Sequence, residues 1–180
     1  GITTDGTNLY VSDKGNHRIR KIVISTGVVT TLAGSSSGST DATGTSAKFN
    51  GPRGITTDGT NLYVADRDNH LIRKIVISTG VVTTLAGSAG YYGSTNGTGT
   101  SARFKFPRGI TTDGTNLFVV SDNHLIRKIV IATGAVTTLA GSTSYGSTDG
   151  TGTAARFYNP RNIITDGTNL YVVDTSNRKV

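Results

Sequence analysis

Residues 54–87 read GITTDGTNLYVADRDNHLIRKIVISTGVVTTLAG, and this stretch decides the fold. It holds four short runs rich in Ile, Val, Thr and Tyr, each closed by turn residues. Gly54–Asp58 ends in Asp58-Gly59-Thr60-Asn61, where Asp-Gly supplies the positive φ of a tight hairpin turn. Leu62–Ala65 is the second run and gives way to the polar loop Asp66-Arg67-Asp68-Asn69. Leu71–Ser78 is the third, ended by Thr79-Gly80, and Val81–Leu85 the fourth, ended by Ala86-Gly87. No 3.6-residue apolar period survives this glycine spacing, and β-branched content is high throughout. The stretch therefore predicts a four-stranded antiparallel meander.

The same text recurs outward in both directions. Asp-Gly-Thr-Asn-Leu begins at Asp5, Asp58, Asp113 and Asp166, at spacings of 53, 55 and 53 residues. Pro-Arg recurs at Pro52, Pro107 and Pro160, and Leu-Ala-Gly at Leu32, Leu85 and Leu139. The chain thus divides into repeats 1–53, 54–108 and 109–161 and a partial fourth, 162–180, within one propeller segment. The third strand is apolar on both faces past its start (Ile72 and Val76 on one, Ile75 and Ile77 on the other), so each sheet packs on two neighbours. That predicts an all-β fold: a β-propeller of four-stranded antiparallel blades, three full and one partial. A β-solenoid is the competing architecture, but its coils are shorter and lack hairpin turns at these positions. Each long Gly/Ser/Thr-rich connection ends in an aromatic, Phe49, Phe104 or Phe157, and reads as an ordered loop pinned by that ring.

Composition narrows the functions. Charged residues are 16% of the chain against a norm of about 25%, which argues against a charge-expanded disordered segment. No apolar run is long enough for a membrane-spanning helix. The absence of Cys removes disulfides, Cys-ligated zinc and thiol catalysis together. The chain opens inside a repeat, which reads as a processed product or a piece of something longer. Its Ser/Thr/Gly-rich surface suits an extracellular or cell-surface setting.

The stretch Tyr63-Val64-Ala65-Asp66-Arg67-Asp68-Asn69-His70-Leu71-Ile72-Arg73-Lys74-Ile75, with the leading Pro107-Arg108-Gly109-Ile110 pattern and the Asp-Gly-Thr-Asn turn, resembles the NHL repeat. The resemblance, to a long bacterial type of that repeat, covers essentially the whole chain and implies a β-propeller. The lack of Trp sets it apart from WD40 blades. Two features depart from the pattern: the units exceed the ~40–45 residues of a typical short blade, and the third copy (Phe118-Val119-Val120-Ser121-Asp122-Asn123-His124) is one residue short. Its counterpart of Asp66 is therefore missing or displaced. Closed propellers need about 4–8 blades, so the ring is expected to be completed by association of the chain with itself or by the remaining blades of a longer chain.

A meander places alternate turns on opposite rims. The upper rim then carries Arg53, Arg108 and Arg161 and the histidines His17, His70 and His124, the candidate ligand-binding residues. The arginines precede the innermost strands, where guanidinium groups would suit phosphate or carboxylate; the alternative is pairing with an Asp or carbonyl of the next blade. Arg20-Lys21, Arg73-Lys74 and Arg127-Lys128, at the start of the third strands, are expected to add to the same basic field. The histidines occupy equivalent positions in separate blades and cannot converge on one zinc. Their alternative role is to satisfy loop backbone groups. Asp149-Gly150-Thr151-Gly152 offers one carboxylate where Ca²⁺ needs several. The expectation is no catalytic residue, metal or cofactor, because almost every polar group is a copy of one in the next blade, whereas catalysis needs unlike groups converging. A non-catalytic scaffold binding a protein or other ligand is the leading reading. A single-stranded RNA binder with a basic upper face is second, favoured by the pI of 9.9. An axial-metal lyase or hydrolase, which the resemblance also allows, is third.

Overall fold

The computed structural model describes all 180 residues. The first sheet is formed by β1 (Ile2–Thr4), β2 (Asn8–Asp13), β3 (Arg18–Val23) and β4 (Val29–Ala33) in sequence order. A two-residue strand, β5 (Ala42–Thr43), precedes the second meander of β6 (Pro52–Thr57), β7 (Asn61–Asp66), β8 (Leu71–Val76) and β9 (Val81–Gly87). The pattern returns as β10 (Gly97–Thr98), then β11 (Pro107–Thr112), β12 (Asn116–Ser121), β13 (Leu125–Val130) and β14 (Ala135–Gly141). Two strands, β15 (Pro160–Thr165) and β16 (Leu170–Asp174), make the last sheet. All pairings within these sheets are antiparallel. The molecule is an arc of a β-propeller, three full blades and a partial fourth.

The long connections do something the sequence did not announce. The first two cross to the outer edge of the following blade and add a fifth strand there: β5 pairs with β9, and β10 with β14. Sheet and repeat are therefore not coextensive, since Ala42–Thr43 and Pro52–Arg53 of repeat 1–53 belong to the second sheet. The fifth strand covers an edge that would otherwise expose unpaired backbone groups. After it the connection makes a short 3₁₀ turn and runs back between blades, where Phe49 and Phe104 are fully buried.

Alternation along the second strand then fills two cores at once. In β7, Leu62 and Val64 pack toward the first blade with Tyr10, Ile19, Phe49 and Ile55. Tyr63 and Ala65 pack toward the third with Ile72, Phe104, Ile110 and Val119. A third core joins Val120 and Ile126 to Ile163 of the last sheet. Each such fully buried aliphatic side chain is worth about 1.5–3 kcal/mol, so the spacing of two that writes the strand also locks the blades together. At the ends of the arc Ile2, Ile24 and Val29, and then Ile164, Tyr171 and Val173, are exposed.

Candidate functional site: the arginine cleft on the upper rim

The site begins with a glycine. In Pro-Arg-Gly-Ile, a β-carbon on Gly54 would clash with the Arg108 carbonyl oxygen, and one on Gly109 would lie 2.8 Å from Asn162 Cα. Lacking that carbon, the inner strands β6, β11 and β15 close up side by side. The preceding residues, Arg53, Arg108 and Arg161, are thereby carried into one cleft of about 360 Å³, bordered also by Lys14 and Asn162 and lined by no apolar side chain other than Pro52.

The charge in this cleft is only partly answered. Arg108 forks onto Asp122, with Nη2 donating to Oδ2 at 2.9 Å and Nε to Oδ1, and Arg67 donates to the same carboxylate at 3.1 Å. Arg53, Arg161 and Lys14 form no ion pair. The Arg53 Nε is buried without a hydrogen-bond partner. Burial, followed by repulsion from Arg108, Arg67 and Arg161, holds the Arg53 guanidinium below its ordinary pKa, with Asp122 opposing.

The histidines are arranged differently. His17, His70 and His124 all adopt left-handed backbone (φ 56, 62 and 64°) in the loops after the second strands, the first two at the ends of 3₁₀ turns. Each Nδ1 accepts the backbone N–H of the residue that opens the next blade: Gly51 at 3.2 Å, Phe106 at 3.2 Å and Asn159 at 3.1 Å. That fixes the tautomer, with the proton on Nε2, and ties blade to blade. The structure thus brings the three arginines together and leaves the three histidines in separate, equivalent stitches. His70 and His124 are also flanked by aromatics. His70 lies 4.5 Å from Phe106 and 5.5 Å from Tyr92, and His124 is edge-on to stacked Tyr145 and Tyr158. Lys105 sits over Tyr92 and Arg67 over Phe106.

One sequence expectation is corrected. Arg73 and Arg127 add nothing to the rim field, because both are 0% exposed. Each points outward through its blade, donating to carbonyls of the connection that crosses it: Arg73 to Lys48 and Thr40, Arg127 to Arg103 and Thr95. The crossing connection, which composition alone could not place, supplies their receptor. Arg20 in the first blade stays partly exposed, near Asp13 at 3.7 Å.

Residues the sequence reading passed over are Lys14, Asn162 and Asp122. Their signals lay in breaks of the repeat: Asn162 stands where the other copies have glycine, and Asp122 lies in the shortened third loop. The counterpart of Asp66 in that loop is Ser121, at the end of β12. The lower rim, by contrast, is closed on itself. Asp58 accepts the N–H groups of Thr60 (2.9 Å) and Asn61 (2.6 Å) and the Tyr63 hydroxyl (2.7 Å), and Asp5 and Asp166 repeat the arrangement. No three His or Asp side chains gather as a metal-ligand set. No helix is long and apolar enough to cross a membrane.

Stacked meanders with an inner-strand cleft define a β-propeller segment. Residues 49–75 match the NHL repeat, and the other copies are near-duplicates of that text. The chain thus carries NHL-repeat sequence. It is 40% identical over 88 residues to NHL repeat-containing protein 2 of Gallus gallus, a match covering 48% of this chain and 12% of that protein. Among solved structures, a Bacteroides thetaiotaomicron protein of unknown function superposes with a TM-score of 0.79 at 25% identity, over 99% of this chain and 45% of the other. An auxiliary nutrient binding protein of the same organism superposes at 0.75 and 20% identity, over 96% and 44%. The chain therefore spans under half the length of each.

Proposed function

We propose that this chain is a non-catalytic binding module whose ligand face is the upper rim, with Arg53, Arg108 and Arg161 as the contact residues and the histidines holding that rim in shape. The observation that carries the reading is the contrast between rims. The lower turns consume their own polar groups, whereas the upper cleft holds arginines from three blades with one carboxylate between them. Copy-to-copy differences also fall on this face. Ser37, Tyr92 and Tyr145 correspond, as do Gly51, Phe106 and Asn159, while the lower Asp-Gly-Thr-Asn turns are unchanged. A face that varies among near-identical units is where a module acquires a particular ligand.

The test is an array of acidic peptides and glycans probed with three proteins: the wild type, the triple variant Arg53→Gln/Arg108→Gln/Arg161→Gln, and Lys74→Gln/Lys128→Gln on the third strands. Hits lost in the first variant and kept in the second support the reading; hits indifferent to both defeat it. Single-stranded RNA is the second reading, favoured by exposed Tyr92 and Tyr145 (64% and 66%), with Lys105 over the Tyr92 ring. A salt titration against an oligo-U strand distinguishes it, through affinity that falls steeply with salt and is lost in Tyr92→Ala. The exposed apolar ends of the arc support ring completion by self-association or by further blades. Light scattering on the eluting species reads this directly, and an extracellular or cell-surface setting belongs to the same proposal.

A further inference from the structure

The cleft that carries the proposed function also specifies what enters it, and this step rests on that reading. Its lining is guanidinium, ammonium, hydroxyl, amide and backbone, with Pro52 the one apolar side chain and no aromatic ring on which a base could stack. Its volume, about 360 Å³, is at the small end for ligand sites. Three of its cationic side chains, Lys14, Arg53 and Arg161, have no carboxylate partner. The fourth, Arg108, already shares Asp122 with Arg67. Holding several like charges close together is unfavourable, and an anion that joins them relieves the repulsion. Arginine forks fit multi-oxygen anions through paired N–H donors. A singly charged halide would neutralise one cation and leave the forks unsatisfied.

We infer that the cleft formed by Lys14, Arg53, Arg108, Arg161 and Asn162 is a receptor for a small multivalent oxyanion, a phosphoryl or polycarboxylate group, free or at the end of a larger ligand. Asn162 sets the selectivity. In the other copies this position is glycine, and the amide side chain borders the cleft between the inner strands, where it both donates and accepts. It can therefore bond to a protonated oxygen that arginine, a donor only, cannot recognise.

Isothermal titration of the whole 180-residue chain with sodium pyrophosphate, and separately with citrate, in about 0.1 M salt tests this. One saturable site is expected, weakened about tenfold or more by Arg53→Gln and by Arg161→Gln, the size of losing one charge-assisted fork. Lys128→Gln, which removes the same charge far from the cleft, should leave it within about twofold. Tighter pyrophosphate assigns a phosphoryl ligand and tighter citrate a polycarboxylate. Asn162→Gly should narrow the difference between the two. No saturable binding of either anion up to about 10 mM, or equal weakening by Lys128→Gln, overturns the inference. If a cleft variant misfolds, amide shifts in the wild type decide: pyrophosphate must move Gly54, Gly109 and Asn162 and not the lower turns. Array ligands that still need the three arginines while neither anion binds would sink this inference and leave the upper-rim function standing. Array ligands indifferent to the arginines would sink that function whatever the anions do.

Discussion

The second and third blades share almost every strand residue yet bury the same arginine in opposite electrostatic settings. Arg73 donates to two carbonyls and also meets two carboxylates, Asp41 at 2.5 Å and Asp66 at 3.1 Å. Arg127 makes the equivalent carbonyl contacts, but Asn96 stands in place of Asp41 and Ser121 in place of Asp66, so it has no counter-ion. Burial pulls the Arg127 guanidinium down to about 10. Burial likewise pushes the Asp66 carboxyl up to about 6, against hydrogen bonds from Asn69 and Asn50 and the charge of Arg73. The connection's carbonyls are thus enough to fix the guanidinium in place, and the carboxylates are a separable addition. Two buried charges must be matched to each other, whereas one charge among oriented dipoles need not be.

The largest way to break that comparison is to remove the arginines. Arg73→Met strands a buried carboxylate and should cost about 3–5 kcal/mol in urea unfolding. Arg127→Met leaves only neutral acceptors and should cost about 1–3 kcal/mol; the reverse order would refute the distinction. Next, Asn96→Asp gives Arg127 a counter-ion and should stabilise by about 1 kcal/mol, read as a higher urea midpoint at unchanged slope. A smaller difference lies in the turns. Tyr63 donates to Asp58, but the third blade has Phe118 there, so Tyr63→Phe makes the second turn resemble the third and should cost about 1 kcal/mol. The smallest effect is in titration. Asp58 and Asp113 are both buried a little, which raises them, but hydrogen bonds outweigh this and hold them below the ordinary 3.8. A depressed carboxylate contributes stability above its unfolded value that is lost as pH falls through the folded one, so stability should decline below about pH 4. Carboxyl NMR should find Asp113, which lacks the tyrosine donor, protonated before Asp58, Asp5 or Asp166.

Much of this was legible in the sequence because strand and turn are local. Asp58-Gly59 needs only its own backbone to form the hairpin, and the alternation of Leu62, Tyr63, Val64 and Ala65 already assigns two faces to β7. The arginines were legible as rim residues because Pro-Arg opens the inner strand at Pro52, Pro107 and Pro160. Their convergence was less so, since it depends on how closely glycine lets neighbouring inner strands approach. The destination of Arg73 was not legible at all. Its partners Thr40 and Asp41 lie more than thirty residues away on a connection whose composition reads equally as linker or loop.

The sequence by itself determined the repeat, the meander and the turn chemistry, because these follow from the backbone preferences of neighbouring residues. Only the tertiary structure decided which charges are buried, that the second and third blades borrow a fifth strand from the preceding connection, and that arginines from separate copies share one cleft. Those outcomes depend on distances between segments far apart in the chain, and no local preference encodes such distances.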